Sequence, residues 1–245
     1  MPGTEVRSIL LDIEGTTTPI TFVYDVLFPY VRANLRQLIE RHARQPDYQR
    51  VFTSLHQDRD ANLAAGIDVP PWLDRSPSEE LASVARYSEW LMDRDSKTPP
   101  LKQLQGMIWE HGYSRGDLIG DVFPDVPVAL GRWRERGVSI GIFSSGSVLA
   151  QQLLFRHSSA GDLTTFLRWY FDPTIGAKVD PESYRRIATL MAALPNAIVF
   201  ISDVTAELDA ARKSGMQTRL SVRPGNKPVS DGHGHVAINT FDEAN

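Results

Sequence analysis

The stretch Leu10-Leu11-Asp12-Ile13-Glu14-Gly15-Thr16-Thr17 decides the fold. An apolar run of strand type delivers two acids two residues apart, then a glycine and three threonines ending at Thr18. Alternation along a strand puts Asp12 and Glu14 on one side, and Gly15 lets the backbone turn close to a ligand. A carboxylate at a strand end can attack phosphorus to give an acyl phosphate, which divides a hard hydrolysis into two easier steps. Two like charges there would repel a phosphate dianion without a hard divalent cation, and magnesium with oxygen ligands is the usual solution. The same residues would also suit a cap and turn at a strand-to-helix junction, and the rest of the chain decides between the two.

Short β-type runs recur at 8–12, 138–143, 169–171, 197–201 and 217–222, with helical segments between them, the signature of a parallel α/β sheet. The first four each end in a polar cluster: Asp12 to Thr16, Ser144 to Ser147, Asp172 to Thr174, and Ser202 with Asp203. Ligands of open α/β sheets bind beyond the carboxyl ends of the strands, so these clusters are expected to converge on one site.

The interval after Pro19 reads differently. Leu27, Val31, Leu35, Leu38 and Ile39 fall on one helical face, as do Leu81, Val84, Ala85, Leu91 and Met92. Ser76 and Glu79, with Pro77 between them, form a capping box that opens the second of these helices. The expected organisation is a catalytic core at 1–18 and 125–245 and a helical insertion at 19–124. The segments at 224–228 and 231–235 read as loops, and His233 and His235 are expected to be solvated there.

Composition narrows the function. In 245 residues, hydrophobic content of 42% with five Trp and ten Phe supports a buried core with one appendage. A net charge of -4 argues against a broad basic surface for nucleic acid. There is no Cys, which removes disulfides, thiolate metal sites and cysteine nucleophiles. His42, His56, His111 and His157 show no paired spacing for zinc. No basic segment precedes a long apolar one at the N-terminus, and no run approaches the roughly 18 apolar residues of a membrane helix. A cytoplasmic monomer with a small-molecule substrate is expected, and neither a membrane nor a nucleic-acid partner.

Three further clusters add chemistry to Asp12. Ser144-Ser145-Gly146-Ser147 follows a strand and opens a helix, where hydroxyls and free N–H groups bind phosphate oxygens or simply cap the helix. Gly176 to Glu182 places Lys178 just before a helix whose N-cap and first position suit Asp180 and Pro181. A lysine there either stays solvated or steadies charge on a transferring phosphoryl group. Val199 to Glu207 is an apolar strand ending at Asp203, a metal-ligand candidate, with Glu207 four residues on as an outer group that orients ligands or water. The plain alternative is an Asp cap with a helix-dipole glutamate.

The order of nucleophile, hydroxyl, cation and metal acid on successive strands resembles the haloacid dehalogenase superfamily of phosphotransferases over the whole chain. That superfamily usually has Asp where Glu14 stands. With glutamate there, the opening DIEGTTTPITFVYDVLFPY from Asp12 to Tyr30 is similar to that of the enolase-phosphatases, also called acireductone synthases. So are LQGMIW from Leu104, HGY from His111, VFPDV from Val122, SSGSV from Ser144, LLF from Leu153 and RPGN from Arg223. Pro173 departs from the Thr expected after Phe171-Asp172.

The resemblance implies a HAD-like Rossmannoid sheet with a helical cap and a bifunctional reaction in methionine salvage. The diketone 2,3-diketo-5-methylthiopentyl-1-phosphate would be enolised and then dephosphorylated to an acireductone. It implies magnesium on Asp12, Asp203 and the Glu14 carbonyl, with Asp12 as nucleophile and phosphate bound by Ser144, Ser145 and Lys178. The enolisation base is left between Glu14 and an acid of the insertion. Phe22, Val23 and Phe28 could receive the methylthio tail or simply pack. Two alternatives stand beside this reading: a related phosphatase for another phosphometabolite, and a receiver-like module with a phosphorylatable Asp.

Overall fold

The computed structural model describes residues 5–229, 232 and 234–244. Six strands, β1 (Ser8–Leu11), β2 (Ser139–Phe143), β3 (Trp169–Phe171), β4 (Ile198–Ser202), β5 (Gln217–Ser221) and β6 (Val236–Ile238), form one sheet in the order β3-β2-β1-β4-β5-β6. Every neighbouring pair is parallel; Leu11 of β1 lies opposite Ile142 on one side and Ile201 on the other. Both β1 and β4 are buried along their whole length. That is why their sequences are continuous apolar runs and not alternating ones, as expected of central strands covered on both faces.

Four helices belong to the same unit as the sheet: Asp125–Glu135, Val148–Arg156, Pro181–Leu190 and Thr205–Lys213. Leu10, Phe143, Tyr184, Ile187, Phe200 and Leu208 are among the buried residues of its core. Tyr184 stands edge-on to Phe143 and tilted against Phe200. This unit runs through Asp25 and resumes at Leu118.

The second unit, Val26–Asp117, is helical. Phe28–His42 and Pro46–Ala64 each pack on both Pro77–Asp93 and Pro99–Arg115. Leu27, Val31, Leu35, Leu38 and Ile39 are all buried, as their spacing requires, and Trp109 Nε1 donates to the Leu27 carbonyl at 2.9 Å. Ser76 caps the third helix by accepting from Glu79 N, while the Glu79 carboxylate turns to Arg75. Phe28 packs its ring 6.1 Å from that of Trp109. In the sheet unit, Phe22 and Val23 are buried, the packing role that the sequence had left open.

Two features depart from the sequence reading. β6 was not expected: three residues, two of them exposed, carry too little pattern to mark a strand. His235, expected to be solvated, is buried, with Thr218 Oγ1 2.8 Å from Nδ1 and Asp209 Oδ1 3.2 Å from Nε2. Asp231 and His233 of the same segment lie outside the described residues.

Candidate active site

β1 has β2 on one side and β4 on the other, so the chain reverses its direction across the sheet there. Such a reversal opens a crevice at the carboxyl ends of the strands. Asp12, the first residue past β1, is 2% exposed, and its N–H still donates to Ile201 O at 2.9 Å, which ties its backbone to the sheet.

Lys178 reaches Asp12 from the loop after β3. Its Nζ lies 2.5 Å from Asp12 Oδ1 and 2.7 Å from Glu207 Oε2. The loop is steered by Gly176, at φ +136°, where a Cβ would overlap Ser183 Oγ. Tyr184 then fixes the lysine backbone by donating its hydroxyl to Lys178 O at 2.7 Å. Asp180 caps the following helix by accepting from Glu182 N at 2.9 Å, as its sequence position implied. Burial alone would lower the Lys178 pKa, but the charges of Asp12 and Glu207 outweigh it and hold the ammonium above the usual lysine range.

Ser202, the last residue of β4, is fully buried, with Oγ 3.2 Å from Asp12 Oδ2 and 3.0 Å from Glu207 Oε2. Its one hydroxyl hydrogen can serve only one of these at a time, while the oxygen accepts from Val204 N at 3.1 Å. The helix after β4 is therefore not capped by Asp203, which leaves that carboxylate for other work. Burial first, then the charge of Asp12, pushes the Asp203 pKa up to about 7. Glu207 is pushed up to about 7 by the same two causes, against the pull of Lys178 and Ser202.

Glu14 accepts from Ser144 Oγ at 3.4 Å, and burial followed by the Asp12 charge raises its pKa. Ser147, not Ser144 or Ser145, caps the helix after β2 by accepting from Ala150 N at 3.3 Å. Ser144 is thus free to face Glu14, while Ser145 is exposed. Pro173 opens a short 3-10 turn capped by Asp172, which accepts from Thr174 N at 3.0 Å.

Of the residues expected from sequence, then, Asp12, Lys178 and Glu207 are joined directly and Glu14 meets Ser144. Asp203 stands against the loop that carries Glu14: a Cβ on Gly15 would lie 2.5 Å from Asp203 Oδ2. Glu207, expected either as an outer group that orients ligands or water or as a helix-dipole acid, holds the Lys178 ammonium. The sequence also passed over a set of residues that hold the loop after β1. Ser221 Oγ donates to Gly15 O at 3.1 Å and Asn226 Nδ2 to the same oxygen at 2.9 Å. Arg223 Nε donates to Thr16 O at 3.3 Å, and its other nitrogens pair with both Asp125 oxygens at 3.0 and 2.8 Å. Its guanidinium lies over the rings of Phe123 and Phe241, at 4.7 and 4.8 Å. The available signal was the RPGN stretch from Arg223, read as a loop and as part of the family resemblance but given no role in holding the site.

The donor set suits magnesium. Around Asp12 and Asp203 it is oxygen alone, and burial together with the Asp12 charge, a charge that a cation would offset, pushes the Asp203 pKa up to about 7. Among the described residues, no three His, Cys, Asp or Glu side chains come together as an ion cage. Magnesium sites commonly use only one or two carboxylates, with water and substrate phosphate completing the shell.

The sequence matches the haloacid dehalogenase-like hydrolases over residues 6–215. It is 44% identical over 238 residues, 97% of each chain, to the Synechococcus elongatus protein named Enolase-phosphatase E1. The Xenopus tropicalis protein of the same name is 43% identical, over 92% of this chain and 88% of its own. Among solved structures, the UTR4 protein of Saccharomyces cerevisiae superposes with a TM-score of 0.79 at 33% identity, over 97% of this chain and 99% of its own. At this extent of likeness the chain belongs to the haloacid dehalogenase-like hydrolase family.

Proposed function

We propose that the chain is an enolase-phosphatase, a phosphatase enzyme of methionine salvage, acting on 2,3-diketo-5-methylthiopentyl-1-phosphate. The observation that carries the assignment is the 44% identity with an enolase-phosphatase along 97% of both chains. The geometry supports the following parts for its residues.

Glu14 is our choice for the enolisation base, because burial and the charge of Asp12 raise its proton affinity. Such a carboxylate is the stronger base for a carbon acid next to a carbonyl. It takes that proton, and the electron pair moves to the carbonyl oxygen. Asp12 then attacks phosphorus and the bond from phosphorus to the substrate oxygen breaks; that oxygen takes back the proton held by Glu14, the enolate oxygen takes one from water, and the acireductone leaves. Water cleaves the resulting aspartyl phosphate to free phosphate.

Lys178 holds Asp12 Oδ1 at 2.5 Å, so the carboxylate presents a fixed direction to the substrate. It also offsets the repulsion between the carboxylate and the phosphate dianion. Glu207 keeps the ammonium in place, and the Ser144 and Ser145 hydroxyls bind phosphate oxygens. Asp12, Asp203 and the Glu14 carbonyl are the residues that would hold Mg2+. When bound, the ion neutralises phosphate charge as it develops on the transferring group. The helical unit is proposed to serve as the cap that selects the substrate.

The test is phosphate release with magnesium across the diketone phosphate, phosphosugars and phosphoserine, with enol absorbance followed in parallel. The diketone should be preferred and an enol should precede phosphate. Preference for another phosphometabolite with no enol would retain the phosphatase and remove the enolase.

A further inference from the structure

Asn226, in the loop after β5, has its amide fixed by two carbonyl oxygens. Its Nδ2 donates to Gly15 O at 2.9 Å and to Ser221 O at 3.1 Å. Carbonyl oxygens only accept, so both amide hydrogens are committed there and the orientation of the amide is settled. Asn226 Oδ1 faces the other way, where it is buried and has no hydrogen-bond partner.

That oxygen does not look onto an apolar wall. The point where a Gly15 Cβ would sit is 2.7 Å from Asn226 Oδ1 and 2.5 Å from Asp203 Oδ2. Both acceptor oxygens thus close on Gly15 at a spacing that only a glycine allows. A buried acceptor left without a donor is destabilising, and a neighbouring carboxylate adds repulsion. Lys178, the nearby cation of the site, is committed to Asp12 and Glu207. A water molecule on a divalent cation is a strong donor, since the cation withdraws charge from its oxygen.

Resting on the reading of Asp12 and Asp203 as magnesium ligands, we propose that Asn226 is a positioning residue whose Oδ1 accepts from a metal-bound water, tightening the ion at Asp203. The amide thereby does two things at once: its nitrogen holds the Gly15 carbonyl, and its oxygen reaches the shell of the ion. Outer partners of this kind typically change metal affinity by about 10- to 100-fold.

The experiment is calorimetric titration of magnesium chloride into the full chain without substrate, paired with thermal melts in the metal-free state. Asn226→Ala should weaken magnesium by roughly tenfold or more. Ser221→Ala removes the companion hydrogen bond to Gly15 O but keeps Asn226, and should leave magnesium affinity within about twofold while lowering the metal-free midpoint. Unchanged affinity in Asn226→Ala, or equal weakening in both variants, would reduce Asn226 to a loop anchor and overturn the proposal. Asn226→Asp loses both amide donors yet keeps an acceptor. It should bind magnesium within about threefold of the parent or tighter, although the metal-free protein is less stable. Affinity as poor as that of Asn226→Ala would overturn the proposal, and this variant carries the test if the alanine form does not fold. A parent chain that takes up no magnesium would instead remove the reading of Asp12 and Asp203 on which the inference rests.

Discussion

Replacing Lys178 with methionine keeps most of the side-chain volume and removes the charge, so its effect reports the electrostatics of the site. The ammonium is 2.5 Å from Asp12 Oδ1 and 2.7 Å from Glu207 Oε2, and the residue is only 9% exposed. Taking one partner out of a buried charge cluster costs about 3–5 kcal/mol, because the remaining charges stay desolvated. The lower end applies here, since Glu207 can take up a proton. About 3 kcal/mol in a chain of this size lowers the melting midpoint by roughly 6–12 °C. The loss should be largest near pH 8 and shrink towards pH 6. Glu207, already at about 7 with the lysine present, rises further without it and is neutral at the lower pH. Phosphate release should fall on the order of a hundredfold or more, the scale of losing a preorganised electrostatic contact. Melts at both pH values and a magnesium-supported phosphate assay measure the two effects. A midpoint within about 2 °C of the parent at pH 8, together with a rate within about threefold, would refute the argument.

Three other outcomes follow from the same site. Gly15→Ala forces φ +69° on a residue with a Cβ that meets Asp203 Oδ2 and Asn226 Oδ1. It should cost about 1–3 kcal/mol and lower magnesium affinity, read by melts and calorimetry. Arg223→Ala strips the buried partner from Asp125 and the donor from Thr16 O. A loss of about 3–5 kcal/mol is expected in denaturant titrations, with a change under about 1 kcal/mol counting against the anchor. Metal-free protein should lose stability as pH rises from the usual carboxylate range to about 7, because folded Asp203 and Glu207 bind protons that the unfolded chain has released. Melts in chelator should show that slope, and magnesium should flatten it by binding the ionised form.

Much of this was legible because it is local. Leu10 and Leu11 leading into Asp12, and Phe200 and Ile201 into Ser202 and Asp203, are buried runs ending in acids, and a central parallel strand requires that pattern. The N-caps at Ser76 and Asp180 were equally plain. What could not be read lies in pairings across long separations. Lys178 reaches Asp12 across 166 residues and Asn226 reaches Gly15 across 211, with no periodicity linking either pair. Glu207 could be read as an outer orienting group or as a helix-dipole acid, and its pairing with Lys178 shows only in the fold. His42 and His111 likewise stand with rings 5.6 Å apart in the helical unit, a proximity their spacing conceals. β6 stayed hidden because Val236–Ile238 is short and mostly exposed, and its partner strand alone recruits it.

The proposed hydrolysis requires a bond from Asp12 to phosphorus. Turning over the diketone phosphate with magnesium, quenching, and reducing with borohydride converts an aspartyl phosphate to homoserine, which peptide mass spectrometry locates. Homoserine is expected at position 12, dependent on substrate and absent in Asp12→Asn. Steady phosphate release with no modification there, or with homoserine at another acid, would contradict it.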